Sequence, residues 1–142
     1  MFQGASKLAL DPKGRISIPS RHRDQLLAHC EGRLTLTRHP DGCLLVYPRP
    51  QWESKRKELA LLPYSARALQ RLLLGSAIDV ELDSAGRLLV PTALREDARL
   101  TREATLIGMG THFELWEPAS LREREERDLA NGLPDAAADF SF

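Results

Sequence analysis

The sequence predicts an α+β chain made of two tandem, pseudo-symmetric halves joined by a helical linker, and three observations carry that reading. The stretch Asp11-Pro12-Lys13-Gly14-Arg15-Ile16-Ser17-Ile18-Pro19 returns as Asp83-Ser84-Ala85-Gly86-Arg87-Leu88-Leu89-Val90-Pro91, offset by 72 positions, with Asp, Gly, Arg and Pro in the same slots. An arginine follows each Pro by four residues, Arg23 in one copy and Arg95 in the other. Short alternating apolar and polar runs surround each motif, while two longer stretches between the copies carry apolar residues at helical spacing.

Each motif reads as strand, tight turn, strand and helix start. Asp-Pro-Lys-Gly suits a type I turn: Asp at the first corner bonds the following amides, Pro presets φ at the second, and Gly closes the fourth. Lys7-Leu8-Ala9-Leu10 alternates before the turn and Arg15-Ile16-Ser17-Ile18 alternates after it, so each copy is read as a small hairpin. Pro19 and Pro91 cannot donate into a ladder but suit a first helical turn, with Gln25-Leu26-Leu27 and Leu94 and Ala98 supplying the apolar faces. A two-stranded hairpin is marginal alone, so the two copies are expected to pack on each other around a pseudo-two-fold axis.

Beyond the first motif the sequence predicts a helix over Ser20 to His29 and a strand over Arg33 to Arg38. A turn at His39-Pro40-Asp41-Gly42, a strand over Cys43 to Tyr47 and a break at Pro48-Arg49-Pro50 follow. The second copy repeats this pattern, with a strand at Thr105-Leu106-Ile107, a turn over Gly108 to His112, a strand at Phe113 to Trp116, and Pro118 answering Pro48. Residues 1–50 thus form the first repeat, 51–76 a helical linker, 77–118 the second repeat, and 119–142 a charged helix with a mobile tail. In the linker, Gln51 to Leu61 and Ser65 to Gly75 read as helices, with Leu69, Leu72 and Leu73 on one stripe and Trp52 and Leu59 on another. The charged run Arg122 to Asp128 reads as a solvated helix, and Asp135 to Phe142 has little to hold it.

The D-x-x-G-R-h-x-h-P pattern, with h an apolar residue, resembles the AbrB-type swapped-hairpin DNA-binding domain. Two copies in one short chain resemble the MraZ family of bacterial transcriptional regulators, over nearly the whole length from Phe2-Gln3-Gly4 to Glu114-Leu115-Trp116. That resemblance implies two AbrB-like swapped-hairpin β-barrel halves that assemble into homo-oligomeric rings. It also implies sequence-specific binding to promoter DNA upstream of the division and cell-wall gene cluster, the chain's own promoter included, most simply as a repressor.

Composition agrees with a folded chain, since 42% of residues are hydrophobic and 28% charged. No apolar run approaches the roughly 18 residues of a membrane span, and no leader pattern opens the chain, so a cytoplasmic protein is expected, and the family resemblance implies that it is nucleoid-associated. Cys30 and Cys43 make no disulfide framework and read as small buried hydrophobes. Net charge is zero, but residues 1–50 carry 8 basic and 4 acidic side chains and residues 101–142 carry 4 and 9. A DNA-binding face is therefore expected in the first copy.

Arg15 and Arg87 follow the turn glycines and project near the turn tips, where a guanidinium grips phosphate or reads guanine through two parallel bonds. Each arginine also has its own turn carboxylate, Asp11 or Asp83, as a partner. Lys13, Arg21, His22 and Arg23 extend the basic patch of the first copy, and Arg95 that of the second; Asp11, Gly14, Asp83 and Gly86 shape the turns. Two Asp residues in symmetric loops resemble the paired carboxylates of aspartic proteases. Asp-Pro-Lys-Gly and Asp-Ser-Ala-Gly nevertheless lack the Asp-Thr-Gly of such enzymes, and an adjacent Arg holds each Asp ionised. The four histidines are scattered, no Gly-x-Ser-x-Gly elbow occurs, and His39 and Cys43 lack a second zinc-spaced pair. The chain is thus read as no enzyme, without metal, cofactor, membrane or small-molecule substrate. A ring-forming scaffold that binds other proteins instead of DNA stays open as the alternative.

Overall fold

A computed structural model describes residues 1–142. β1 (Ala5–Ala9) enters the first motif turn and β2 (Arg15–Ser17) leaves it; α1 (Ser20–Cys30), β3 (Arg33–Arg38) and β4 (Leu44–Pro48) complete the first repeat. α2 (Arg49–Ala60), a 3-10 turn (Tyr64–Ala66) and α3 (Arg67–Leu73) connect it to the second repeat. That repeat comprises β5 (Ile78–Glu81), β6 (Arg87–Leu89), α4 (Thr92–Asp97), β7 (Glu103–Gly108) and β8 (Phe113–Trp116). α5 (Pro118–Ala130) and the one-turn α6 (Asp135–Ala138) follow.

Six strands form one antiparallel sheet in the order β1-β7-β8-β4-β3-β5, and β2 and β6 form a separate two-stranded ribbon. Exchanging each strand for its repeat equivalent, β1 for β5, β3 for β7 and β4 for β8, only reverses that order. The pseudo-two-fold axis therefore runs between β4 and β8 and between β2 and β6.

This topology corrects the reading of each motif as a small two-stranded hairpin. The turn closes as the sequence predicts: Gly14 N–H donates to Asp11 C=O at 2.9 Å and Asp11 N–H to Arg15 C=O at 2.9 Å, and Gly86 and Asp83 repeat the arrangement. Past the turn the strands part, β1 pairing with β7, β5 with β3, and β2 with β6. Strands of three to five residues bury too little within one hairpin to be stable. The exchange instead seals Ile16 and Leu88 completely beneath the ribbon, at 0% exposure each.

The main core draws on both repeats, with Ile16, Ile18, Leu26, Leu34 and Leu36 meeting Leu88, Val90, Leu94, Leu106 and Phe113. Both faces of β4 are covered: Leu44 and Val46 join this core, while Leu45 and Tyr47 join Trp52, Leu59 and Leu73 in a second cluster beneath the linker helices. Gln70 is buried there as well, its amide donating to Leu59 C=O at 2.7 Å and so tying α3 to the end of α2. Leu27 and Leu69 fall outside the packed faces and stay exposed. Cys30 and Cys43 are buried free thiols.

Helix boundaries differ from the sequence reading in instructive ways. Pro19 and Pro91 stand one residue before the helices, with φ of −53° and −56° and extended ψ, and their carbonyls accept the first helical bonds. α2 begins at Arg49, two residues before Gln51, because Pro50 lies in the first turn where its missing N–H has no intrahelical partner to lose. α5 is solvated, as its charge run predicts. It is capped by Glu117, whose carboxylate accepts from Ala119 and Ser120 N–H, and anchored by Arg124, 3.5 Å from Asp41 in the β3–β4 turn. Within Asp135 to Phe142, expected to be mobile, the single turn α6 forms while Phe140 and Phe142 stay exposed.

Candidate nucleic-acid interface

Alternation along the ribbon decides which side chains face outward. Register pairs Arg15 with Leu89, Ile16 with Leu88 and Ser17 with Arg87. Ile16 and Leu88 point into the core, so Arg15, Ser17, Arg87 and Leu89 share the outer face. The duplication thereby sets two arginines on one narrow ribbon, related by the pseudo-two-fold axis.

Both arginines are held by their turn carboxylates. Asp11 Oδ1 accepts from the backbone N–H of Lys13 and of Arg15 at 2.9 Å each, and its Oδ2 accepts from Arg15 Nε at 2.6 Å. Asp83 does the same for Ala85 N–H, Arg87 N–H and Arg87 Nε, at 2.9, 2.8 and 2.8 Å. Only Nε is engaged in each guanidinium, so the paired Nη groups remain free to form a fork toward a base edge or phosphate. The structural and DNA-contacting readings of these arginines are therefore compatible: the carboxylate aims the cation.

The backbone N–H of Arg15, then its guanidinium and the Lys13 N–H, hold the Asp11 carboxyl below the usual value of 3.8, and the Arg87 and Ala85 groups do so for Asp83. A carboxyl with a depressed native pKa contributes stability that is present above the unfolded value and lost as pH falls through the native one. Thermal melts from about pH 5 to about pH 2 are expected to show stability falling below pH 3.8, with a shallower fall in the Asp11→Asn/Asp83→Asn double variant. An unchanged slope in the variant would mean that these carboxylates do not couple to folding.

Arg23 and Arg95 sit differently from what sequence proximity suggests. Arg95, from α4, lies over Gly14 of the first turn and donates from Nε to Val90 C=O at 2.9 Å; Arg23, from α1, lies over Gly86 of the second turn and donates from Nη2 to Ile18 C=O at 2.9 Å. Each repeat thus lends its helix arginine to the other's turn. Lys13, Arg15 and Arg95 gather at the first tip, and Arg87 and Arg23 at the second. Arg21 is exposed but turned toward β1, with Nη2 3.2 Å from Ser6 Oγ.

His22 does not belong to the basic surface. It is 3% exposed, packed edge-on against Phe2 and Phe113 with ring centroids 5.9 and 5.0 Å away. Burial, and then the Arg21 charge, depress its pKa, so it contributes a neutral ring. Its repeat equivalent is the buried Leu94, an alignment from which this placement could have been read. Of the four carboxylates that flank the second motif, Asp79, Glu81, Glu96 and Asp97, all but Glu96 are engaged with arginines of the first repeat. Asp79 lies 3.6 Å from Arg49, Glu81 4.0 Å from Arg33 and Asp97 3.5 Å from Arg38. Sequence reasoning passed over Ser17 and Leu89, although two-residue spacing from Arg15 and Arg87 places them on the same face.

A family model described as "MraZ protein, putative antitoxin-like" matches residues 1–74 and again residues 73–139, one match for each repeat. The chain belongs to the MraZ family. Proteins named transcriptional regulator MraZ are similar to it over its full length. Those of Bordetella pertussis (strain Tohama I), Janthinobacterium sp. (strain Marseille) and Ralstonia pickettii (strain 12J) are 64%, 59% and 55% identical over 142 residues, covering 100% of both chains in each case. The MraZ duplication accounts for the paired arginines and their exchanged helix partners. No helix of this MraZ-family chain is long and apolar enough to cross a membrane.

Proposed function

We propose that this MraZ-family chain is a sequence-specific DNA-binding transcription regulator rather than an enzyme, repressing the bacterial division and cell-wall gene cluster from promoters that include its own. The observation that carries the reading is the β2–β6 ribbon, whose outer face presents two carboxylate-aimed arginines. A two-stranded ribbon fits the major groove, about 12 Å wide, where Arg pairs with guanine O6 and N7. The relatives' naming as transcriptional regulators supports the same assignment. Within it Lys13, Arg15 and Arg87 take the principal contacts, Arg23 and Arg95 brace the turns and add positive field, and Arg21 reaches flanking phosphate. The exchanged strand pairing supports an AbrB-type swapped-hairpin barrel. The depressed pKa values of Asp11 and Asp83 run against a protease dyad, which requires one carboxyl to hold a proton at higher pH.

Assembly into rings in the cytoplasm, on the nucleoid, would array several ribbons along repeated sites and add weak contacts by avidity. Leu61 and Tyr64, 86% and 77% exposed at the junction of α2 and α3, offer apolar surface for self-association. The test is a mobility-shift titration with the DNA upstream of the chain's own gene, at about 50 and 200 mM salt, with mass followed by light scattering. Three phosphate contacts per bound unit give a slope of about −2.7 and so an affinity loss of about 40-fold over that range. Oligomers that bind no DNA, or bind with no salt dependence, would favour the scaffold reading.

A further inference from the structure

Leu89 is 49% exposed on the outer face of the ribbon, where its repeat equivalent is Ser17. The ribbon is therefore chemically uneven: Arg15 stands opposite Leu89, and Arg87 stands opposite Ser17. Val90 N–H donates to Gly14 C=O and Ile18 N–H to Gly86 C=O, each one residue beyond these pairs. Arg15 and Leu89 are thus a non-hydrogen-bonded antiparallel pair, the kind whose side chains lie closest, with Cβ atoms about 4.5–5.5 Å apart. Side chains this close can reach bases on one strand that step by about 3.4 Å.

An apolar side chain entering the major groove meets hydrogen-bonding edges everywhere except at the thymine C5-methyl group. We propose that Leu89 reads a thymine methyl beside the guanine taken by Arg15, so that this half of the ribbon selects a guanine with an adjoining thymine. The Arg87 half, with a hydroxyl in the same place, takes its guanine without that requirement. The occupant is duplex DNA and not a second copy of the chain, because the free Nη groups of Arg15 and Arg87 share the face with the leucine and favour a polyanionic partner. This inference rests on the DNA-reading function proposed above.

Replacing single thymines by deoxyuridine removes only the methyl group and leaves base pairing intact. Anisotropy titrations of the full chain with such duplexes are expected to show about a three- to fivefold loss of affinity at one thymine of each bound site and none at the others. Leu89→Ser is expected to bind thymine and uracil duplexes equally, and Ser17→Leu to acquire a second methyl-sensitive position. Leu89→Ser copies the residue already tolerated at the equivalent place, and the exposed site leaves the fold intact. Methyl indifference of the wild type at every position, or methyl preference retained in Leu89→Ser, would overturn the assignment. A change in oligomeric mass in Leu89→Ser would also overturn it, by placing Leu89 between copies. Failure of the wild type to bind any duplex would remove the DNA-reading function itself, and Leu89's role with it.

Discussion

Arg15→Ala is expected to weaken specific DNA binding by about 5- to 150-fold, the range for losing a bidentate arginine–guanine contact, and several-fold more than Arg87→Ala. The asymmetry is narrower than sequence neighbourhood suggests, because Arg23 and Arg95 cross to the opposite turns and Asp79, Glu81 and Asp97 are paired elsewhere. What remains is Lys13 at the corner of the first turn, where the second has Ala85, and Pro12, which stiffens the first turn and limits the entropy lost when Arg15 docks. The Arg15 side chain is 27% exposed against 36% for Arg87, consistent with a more firmly held cation at the first tip. Matched titrations on one operator duplex, with both variants folded and oligomeric, decide the matter. Equal losses, or a larger loss from Arg87→Ala, would show that turn rigidity and local charge do not select the dominant half.

A second large effect is expected in stability. Gly86→Ala should cost about 2–4 kcal/mol, read as a lower urea midpoint. Gly86 has φ +75°, where a Cβ costs about 1–2 kcal/mol, and Arg23 occupies the space that the Cβ would enter. Displacing Arg23 also forfeits its bond to Ile18 C=O, worth about 1 kcal/mol. Gly14 answers in the first turn, with φ +84° and a Cβ position 2.5 Å from Arg95 Cζ. Gly42 supplies the control: its φ is +97° but nothing lies within 4 Å of its Cβ position, so Gly42→Ala should show only the conformational cost of about 1–2 kcal/mol. Equal losses at Gly42 and Gly86 would mean that the packing of Arg23 over Gly86 contributes nothing to stability.

Much of this molecule is legible in the chain because local chemistry determines local geometry. Asp-x-x-Gly makes its turn whether Pro-Lys or Ser-Ala fills the middle, since the Asp carboxylate bonds the same two amides in both copies. The β3 boundaries follow from alternation, and those of β8 from the repeat. Partner choice does not. A period of two says which face a strand buries and is silent about which strand lies beside it, so alternation alone does not give the pairing of β1 with β7. The site shows the same division. The outward direction of Arg15 and Arg87 follows from position, and the burial of His22 from its alignment with Leu94, while the placements of Arg23 and Arg95 depend on how the second repeat packs against the first.

The exchanged strand order also governs how the chain can mature on the ribosome. Ala5 finds its sheet neighbour in Ile107, Arg33 finds Glu81 and Leu44 finds Leu115, so the first repeat emerges with β1 unpaired and with one edge of β3 and one of β4 unoccupied. At about 5–20 residues per second, synthesis leaves β1 waiting for roughly 5–20 s before β7 exists to receive it. Short strands that wait in this way gain little from local contacts, and closure over so long a span is slow compared with helix formation. A nascent first repeat is therefore a half-sheet that a sister chain on the same polysome can complete. Lys7 on β1 and Arg33 on β3 put like charge on those waiting edges, which discourages such a trade until the second repeat is made.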